Sequence, residues 1–238
     1  MDKENGNNVK TRRAYVLRPM RKNFNHQLVT PILLETETIE GQRHYVLPDG
    51  ITKLKSVTTL LGEKLDKTAL LEWRKKVGEE EAQRISNQAA RRGTAIHGIA
   101  ERYLLNESNY SKCEMPINVE SFLPIKKALD DHVDNILGIE LALYSKALGC
   151  AGRTDLVAEY DGKPSIIDFK TSRKLKEEHW IESYFLQSTI YSMMFQRLYN
   201  TEVSQIVIMI TVDHEKEPQL FVRDRGLYVD RVIEVLKG

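Results

Sequence analysis

The sequence predicts a domain of the α/β (α+β) class, because it combines a long stretch of helical periodicity with several short strand-like runs. Between Glu79 and Leu105, apolar side chains recur every three or four residues, as on one face of a helix. The second half of the chain contains short apolar runs, rich in β-branched residues and separated by turn signatures. With 238 residues the chain is long enough for one domain with a substantial core.

The N-terminal part divides into a tail and a small hairpin. Residues 1–28 are polar and aperiodic, and the six basic residues from Lys10 to Lys22 are not interrupted by an acid. This basic segment is expected to be a flexible tail, either simply solvated or touching phosphate. Between Ile32 and Val57, short runs such as Ile39 to Leu47 are broken by Pro48-Asp49-Gly50, which predicts a small β-hairpin.

The remaining elements follow from the same patterns. A helical region begins after Ser56 to Leu61 and continues, with breaks, to about Leu105. Residues 106–120 are expected to form a loop, and the next helix to run from Leu123 to Leu137. Later elements are predicted as three strands in an antiparallel meander, a helix, two strands and a final helix: Glu140–Tyr144, Thr154–Ala158, Ser165–Lys170, Glu177–Tyr199, Gln205–Val212, Leu220–Val222 and Leu227–Leu236.

Composition excludes several classes of protein. The hydrophobic fraction of 41% and the charged fraction of 29% are typical of a soluble globular protein, and no run approaches the ~20 apolar residues of a membrane span. The N-terminus has no secretory signal, so an intracellular, cytoplasmic location is expected. Cys113 and Cys150 are too few for a disulfide scaffold or a four-cysteine cluster. The net charge of +1 neither predicts nor excludes a nucleic-acid partner, and oligomeric state is not indicated.

Asp155, Asp168 and Lys170 form the most informative group, because they lie on two strands of one predicted hairpin. If Asp161-Gly162 is a two-residue turn, Asp155 lies opposite Asp168. If residues 161–164 form a four-residue loop, Asp155 lies opposite Lys170 instead. Either register places all three side chains on one face of the hairpin.

Two carboxylates and a lysine on one face of an apolar hairpin require an explanation, because buried charge is costly unless it is paired or bound to metal. A divalent ion provides one: carboxylate oxygens suit Mg²⁺ or Mn²⁺, and a nearby lysine could orient or deprotonate an attacking water. The alternative is a structural salt bridge between Lys170 and one of the acids. The opposite face should meet the core, through Leu156, Ala158, Ile167 and Phe169.

Two helical motifs accompany this hairpin. Gly93, His97 and Glu101 are spaced four residues apart and share one helix stripe, where His97 could bind metal and Glu101 could bind a second metal or assist proton transfer. The alternative is an ordinary surface pair. Gln187 and Tyr191 also share one face and could donate hydrogen bonds to a phosphate or near Lys170, although an amphipathic helix with a half-buried tyrosine gives the same pattern.

In order and spacing, these motifs resemble the RecB-type branch of the PD-(D/E)xK nuclease superfamily, especially phage exonucleases and mitochondrial genome maintenance exonucleases. The resemblance covers about Ser56 to Val212. It implies a restriction-endonuclease-like core with a mixed central sheet flanked by helices, within a single nuclease domain at residues 29–238. The segments that carry it are Gly93–His97 with Glu101, Gly152–Asp155, Asp168–Ser172, and Gln187 with Tyr191.

The resemblance also implies roles for individual residues. Asp155 and Asp168 would bind the catalytic Mg²⁺ or Mn²⁺ together with His97 and the backbone carbonyl of Phe169, and Lys170 would position the nucleophilic water. Gln187 and Tyr191 would contact the DNA strand or the catalytic lysine. Glu140 would match an acidic position at the start of a strand, although an ordinary surface carboxylate explains it equally well. Contacts to phosphate, for which an exposed loop or helix face is the alternative, would come from Thr171, Ser172, Arg173, Arg91 and Arg92.

The activity implied is that of a metal-dependent deoxyribonuclease, most simply an exonuclease acting on DNA ends with a preference for single strands. Its setting would be DNA replication, recombination or repair in a phage or an organelle. The alternatives are a structure-specific endonuclease of the same fold and a catalytically inactive DNA-binding protein. No membrane partner is expected, and with two cysteines the iron–sulfur subgroup of the branch is disfavoured. Candidates for stacking on bases, each with core packing as the alternative, are Tyr103, Tyr184 and Phe185.

Overall fold

A mixed, eight-stranded sheet forms the centre of the computed structural model, which describes residues 22–237. The first three strands come from the N-terminal region, and the other five come from the second half of the chain. Their bounds are β1 Glu35–Ile39, β2 Gln42–Val46, β3 Lys53–Ser56, β4 Val133–Ser145, β5 Cys150–Tyr160, β6 Lys163–Ser172, β7 Gln205–Val212 and β8 Gln219–Asp224.

Helices cover both faces of this sheet. The longest has 26 residues and coincides closely with the strongest helical pattern in the sequence. A short 3₁₀ turn, Glu178–Trp180, precedes the fifth helix. The bounds of the helices are α1 Val57–Lys64, α2 Thr68–Val77, α3 Glu79–Leu104, α4 Pro116–His132, α5 Glu182–Tyr199 and α6 Gly226–Lys237. None of the helices within residues 22–237 is long and apolar enough to cross a membrane.

Two apolar cores lie on the two faces of the sheet. On one face, α5 packs with α1 and α6 through buried side chains such as Phe185 and Phe195. On the other face, α3 and α4 pack through side chains such as Ile96 and Phe122. Because β7 is covered on both faces, its side chains are apolar at nearly every position. The predicted α/β class and the central mixed sheet flanked by helices are therefore confirmed.

Strand β5 is the branching point of the sheet. All along one edge it pairs with β4 in antiparallel fashion. Its other edge is shared: β3 pairs with it in parallel at Cys150 and Ala151, and β6 pairs with it in antiparallel fashion from Leu156 to Tyr160. The sheet therefore forks between Ala151 and Leu156, and the N-terminal strands diverge from β6 there.

The N-terminal strands differ in detail from the prediction. The hairpin is present, but its turn lies at Glu40 and Gly41, both with positive φ, so the predicted unbroken run from Ile39 to Leu47 is wrong. Two consecutive left-handed residues form the tight turn that matches the twist of paired strands. The predicted turn at Pro48-Asp49-Gly50 instead connects β2 to β3 and produces a three-stranded meander.

The predicted helix from Leu123 to Leu137 is also misplaced. Helix α4 starts at Pro116, where the missing N–H of proline costs no hydrogen bond, and it ends at His132. The chain then enters β4 directly, and Val133 pairs with Tyr160. Apolar residues in this stretch satisfy both a helical and a strand period, and the pairing with β5 decides between them.

Part of the predicted tail lies against the fold. The phenyl ring of Phe24 is buried in the core beneath α3 and α4, and the backbone N–H of Gln27 donates to the carbonyl of Ile136 at 2.8 Å. Lys22 donates to the carbonyl of Asp130 at 2.8 Å. The other basic residues of the segment, from Lys10 to Arg21, lie outside the described residues.

Candidate active site

The fork in the sheet positions the acidic hairpin. Tyr160 pairs with Lys163, so Asp161-Gly162 is a two-residue turn, and of the two possible registers this one places Asp155 opposite Asp168. At that point the ladder opens, because the Asp155 carboxylate takes the place of a strand partner and accepts the N–H of Phe169 at 2.7 Å. Asp155 is thereby fixed at the mouth of the fork.

Lys170 forms a close ion pair with Asp168. Its Nζ atom lies 2.7 Å from Oδ1 and 2.6 Å from Oδ2 of Asp168, whose side chain is only 3% exposed. The same Nζ atom lies 5.0 Å from the ring centroid of Tyr184, within the range of a cation–π contact. The salt bridge given as an alternative from the sequence is thus present, and it holds the ammonium group beside both acids of the hairpin.

His97 on α3 contacts both strands of the hairpin. Its Nε2 atom lies 2.9 Å from the carbonyl oxygen of Phe169, and its Nδ1 atom lies 3.3 Å from Oδ1 of Asp155. Nδ1 also lies 3.9 Å from a carboxylate oxygen of Glu140. The imidazole therefore contacts the same groups that the family resemblance proposes as metal ligands.

Glu140 reaches this cluster through an unusual backbone conformation. Its φ of 46° lies in the left-handed region, which is uncommon for a residue other than glycine. Ile139 packs towards α3 and α4 while Leu141 packs towards α5, although residues two apart in a regular strand share a face. The twist at Glu140 therefore switches the faces of β4 and directs the carboxylate towards His97.

The donor set fits a divalent cation. One ligand atom each from His97, Glu140 and Asp155 lies within 4.8 Å of the others. Carboxylate and carbonyl oxygens are the ligands that Mg²⁺ and Mn²⁺ prefer, and an imidazole is compatible with Mn²⁺. Two further groups lie beside these ligand atoms. The Phe169 carbonyl contacts His97, and Asp168 is paired with Lys170.

Crowding of the carboxylates shifts the ionisation of the site. Burial raises the pKa of Asp168 to about 6 despite the nearby Lys170, and burial together with Asp155 raises the pKa of Glu140 to about 7. Burial opposes a charge on His97, but its hydrogen bond to Asp155 and the surrounding acids raise the pKa of His97 to about 9. The cluster thus strongly favours added positive charge, which a proton or a metal ion can supply.

Gln187 and Tyr191 on α5 complete the floor of the site. Gln187 donates from Nε2 to Oδ1 of Asp168 at 3.4 Å. Tyr191 is 3% exposed, and burial holds the pKa of its hydroxyl well above the usual range. A Cβ atom at Gly152 would lie 2.6 Å from the Tyr191 hydroxyl oxygen, so the glycine of the Gly-x-x-Asp motif is required by this close approach.

We expect Gly152→Ala to destabilise the protein by about 1–3 kcal/mol, because the added methyl group must displace the buried Tyr191 ring. Denaturant unfolding measures the difference. Gly93→Ala is the matched control, since a Cβ there meets nothing within 4 Å and alanine favours the helix. A Gly152→Ala protein as stable as wild type would contradict the close-packing argument.

The predicted phosphate-contacting residues differ in their availability. Arg91 is exposed, whereas Arg92 pairs with Asp213 and is half-buried. Arg173 is exposed and donates to Gln88 on α3 at 2.8 Å. Thr171 is half-buried, and Ser172 is buried at the end of β6, where it donates to the carbonyl of Lys174.

Other candidates lie at the margin of the site or in the cores. Glu101 is outside the compact cluster but close enough to Glu140 to contribute to its raised pKa. Tyr103 and Phe185 are fully packed in the two cores, as the alternative reading of each expected. Tyr184 is half-buried, packs against the edge of the core on the α5 face and also contacts Lys170.

One wall of the site was not predicted from the sequence. A groove of about 460 Å³ runs from Asp155 and Glu140 to the N-terminal strands. No local motif marks these residues, because the pairing of β3 with β5 joins segments about a hundred residues apart. The N-terminal side of the groove is lined by Thr36, Arg43, Tyr45, Ser56 and Thr58.

Comparison with known proteins identifies the family. The sequence profile of the PD-(D/E)XK nuclease superfamily matches residues 54–227, and the chain therefore belongs to this superfamily. Nucleases of this superfamily use divalent metal ions and act on nucleic acid, in agreement with the His, Glu and Asp cluster. The observed architecture is consistent with the restriction-endonuclease-like fold.

Two further comparisons add little. No curated protein matches the chain. A solved structure described as "Crystal structure of SSO0001" matches with 16% identity, over 60% of this chain and 73% of that chain, with a TM-score of 0.29. A similarity at this level carries no argument about function.

Proposed function

We propose that this protein is a Mg²⁺- or Mn²⁺-dependent DNA exonuclease of the RecB-type branch, hydrolysing phosphodiester bonds at DNA ends. The observation that carries the proposal is the convergence of Asp155, Asp168 and Lys170 with His97 and Glu140 at the fork of the sheet. The superfamily membership supports hydrolysis of nucleic acid. The order and spacing of the motifs support the branch and the action on ends.

In the proposed site, His97, Asp155, Asp168 and the Phe169 carbonyl would hold the metal ion, and Glu140 would add a carboxylate on the side of β4. A bound ion would supply charge neutralisation at the scissile phosphate and would activate water. Because Asp168 and Tyr184 fix the Lys170 ammonium, it can orient the attacking water in line with the phosphate.

The remaining predicted residues bind or support the substrate. Gln187 donates a hydrogen bond to Asp168. Its side-chain amide either holds that carboxylate in place or turns to contact the DNA strand. The exposed Arg91 and Arg173 offer charge to the DNA backbone, with Thr171 and Ser172 beside them, while Arg92 braces α3 through Asp213. Glu101 is the proposed ligand of a second ion. From the resemblance of the motifs alone, the proposed substrate is the end of a DNA single strand, and the proposed setting is DNA replication, recombination or repair.

Digestion of end-labelled DNA tests the proposal. Single-stranded, duplex and closed circular DNA are each incubated with Mg²⁺, Mn²⁺ or a chelator. We expect mononucleotides or short oligomers from linear single strands, an intact circle, and no cleavage with the chelator. Cleavage of the circle would identify an endonuclease, and binding without cleavage under every metal condition would identify an inactive DNA-binding protein.

A further inference from the structure

The groove beside the candidate metal ligands is here called the hairpin groove, and different residues line its two sides. One side holds the acidic residues Glu140 and Asp155, and the other is formed by the N-terminal strands. Thr36 lies directly opposite Tyr45, and Arg43 is two residues from Tyr45, so these three side chains share one face of the sheet. The N-terminal strands therefore present a polar wall to whatever enters the metal site.

Two arginines in this groove have no close partner. Arg43 and Arg153 are both exposed, and neither side chain forms an ion pair or a hydrogen bond with another described residue between 22 and 237. Arg153 is close enough to Glu140 to interact with it electrostatically, so its positive charge lies near the metal cluster. By contrast, several other arginines of the described chain each pair with a glutamate, as Arg74, Arg102 and Arg223 do.

The chemistry of this wall suits a phosphate. A guanidinium group donates two parallel hydrogen bonds to phosphate oxygens, and hydroxyl groups add neutral donors. The hairpin groove supplies both kinds, because Thr36 and Thr58 line it together with the two arginines. Because Asp155 and the two arginines line the same groove, a nucleic-acid strand whose scissile phosphate lies at Asp155 can place a neighbouring phosphate at this wall.

We propose that Arg43 and Arg153 form a second anionic subsite, which binds a backbone phosphate of the substrate strand next to the scissile phosphate. This inference rests on the proposed nuclease function and extends it, because it assigns a substrate-binding role to the N-terminal strands. The subsite recognises the phosphate and not the base, so its contribution is independent of sequence. An internal phosphodiester and a terminal monophosphate share this chemistry, and the second test below distinguishes them.

The first test measures affinity for a short fluorescent oligothymidylate by anisotropy, with full-length protein and chelator present so that no cleavage occurs. We expect Arg43→Ala and Arg153→Ala each to weaken binding about tenfold, and to reduce the slope of log affinity against log salt by about one. Arg43→Lys and Arg153→Lys should recover part of the loss, since they keep the charge. Arg197→Ala is the matched control: Arg197 is exposed near the end of α5, far along the helix from Gln187.

The second test identifies which phosphate is bound. Single neutral methylphosphonate linkages are placed at successive positions of the oligonucleotide. Wild type should lose affinity when the linkage next to the scissile one is neutral, and the double variant Arg43→Ala/Arg153→Ala should lose nothing further at that position. If the double variant remains as sensitive as wild type at every internal position, the subsite does not exist as proposed; a loss seen only with a 5′- or 3′-terminal phosphate would overturn the internal assignment.

Cleavage assays separate this inference from the proposed function. If wild-type protein cuts DNA with Mg²⁺ or Mn²⁺ while both arginine variants bind and cut as wild type does, only the second subsite is refuted. If wild-type protein neither binds nor cuts DNA under any condition, the proposed function itself fails. Both side chains are exposed, so unchanged thermal unfolding of the variants is expected and is measured alongside.

Discussion

Lys170→Ala is expected to lower the rate of DNA cleavage by about 10²- to 10⁴-fold, the range by which a positioned proton-transfer group accelerates a reaction. The ammonium group lies within 2.7 Å of both Asp168 oxygens, so its removal deletes the one lysine in the hairpin's acidic cluster. DNA binding should be retained, because the exposed arginines that would contact the backbone are unchanged. Single-turnover cleavage of end-labelled DNA measures the effect.

Two further variants separate a catalytic role of Lys170 from a structural one. Lys163 lies on the same strand and is exposed, so the Lys163→Ala variant should cleave DNA as the wild-type protein does. Lys170→Arg keeps a cation beside the buried Asp168 and should restore any lost stability without restoring the rate. Full activity in Lys170→Ala would rule out the proposed positioning of water, and recovery of the rate by Lys170→Arg would rule out proton transfer by Lys170, since a guanidinium group stays protonated.

Asp155→Asn is expected to abolish both metal binding and cleavage. Asparagine has nearly the same shape and can still accept the N–H of Phe169, but it lacks the charge that a divalent ion requires. Loss of a metal-dependent contribution of several kcal/mol corresponds to a fall in rate on the order of 10³-fold.

Thermal unfolding with and without Mn²⁺ reports metal binding independently of activity. A ligand at about a hundred times its Kd stabilises the folded state by about 2.7 kcal/mol, so wild type should unfold at a higher temperature with the metal. Asp155→Asn should show no such increase. The control is Asp161→Asn at the exposed turn of the same hairpin, where φ is 50° and asparagine is well tolerated. An equal increase in Asp155→Asn would remove Asp155 from the ligand set.

The acidic hairpin could be predicted from sequence because its geometry is local. A two-residue turn and the alternation of side chains along a strand fix which residues share a face, whatever the rest of the chain does. The four-residue spacing of His97 and Glu101 was equally local, since the long helix α3 is set by its own periodicity. The position of His97 against Phe169 then depended only on packing α3 on the sheet.

Other features depended on contacts between distant segments and were not predictable in this way. The boundary between α4 and β4 is set by the pairing of Val133 with Tyr160. The left-handed backbone of Glu140 arises inside a strand, where no turn residue marks it. Arg43 reaches the site only because β3 pairs with β5.

Between Ala151 and Leu156 the ladder gives β5 no partner on the edge where β3 and β6 diverge. The peptide groups that point to this edge are not used by the sheet ladder, and N–H groups are good donors to phosphate oxygens. We expect any of these N–H groups that a nucleic-acid strand can reach to bind its backbone phosphates without regard to its bases. Because such main-chain contacts do not depend on side chains, the Arg43 and Arg153 variants should keep part of the DNA affinity of the wild-type protein.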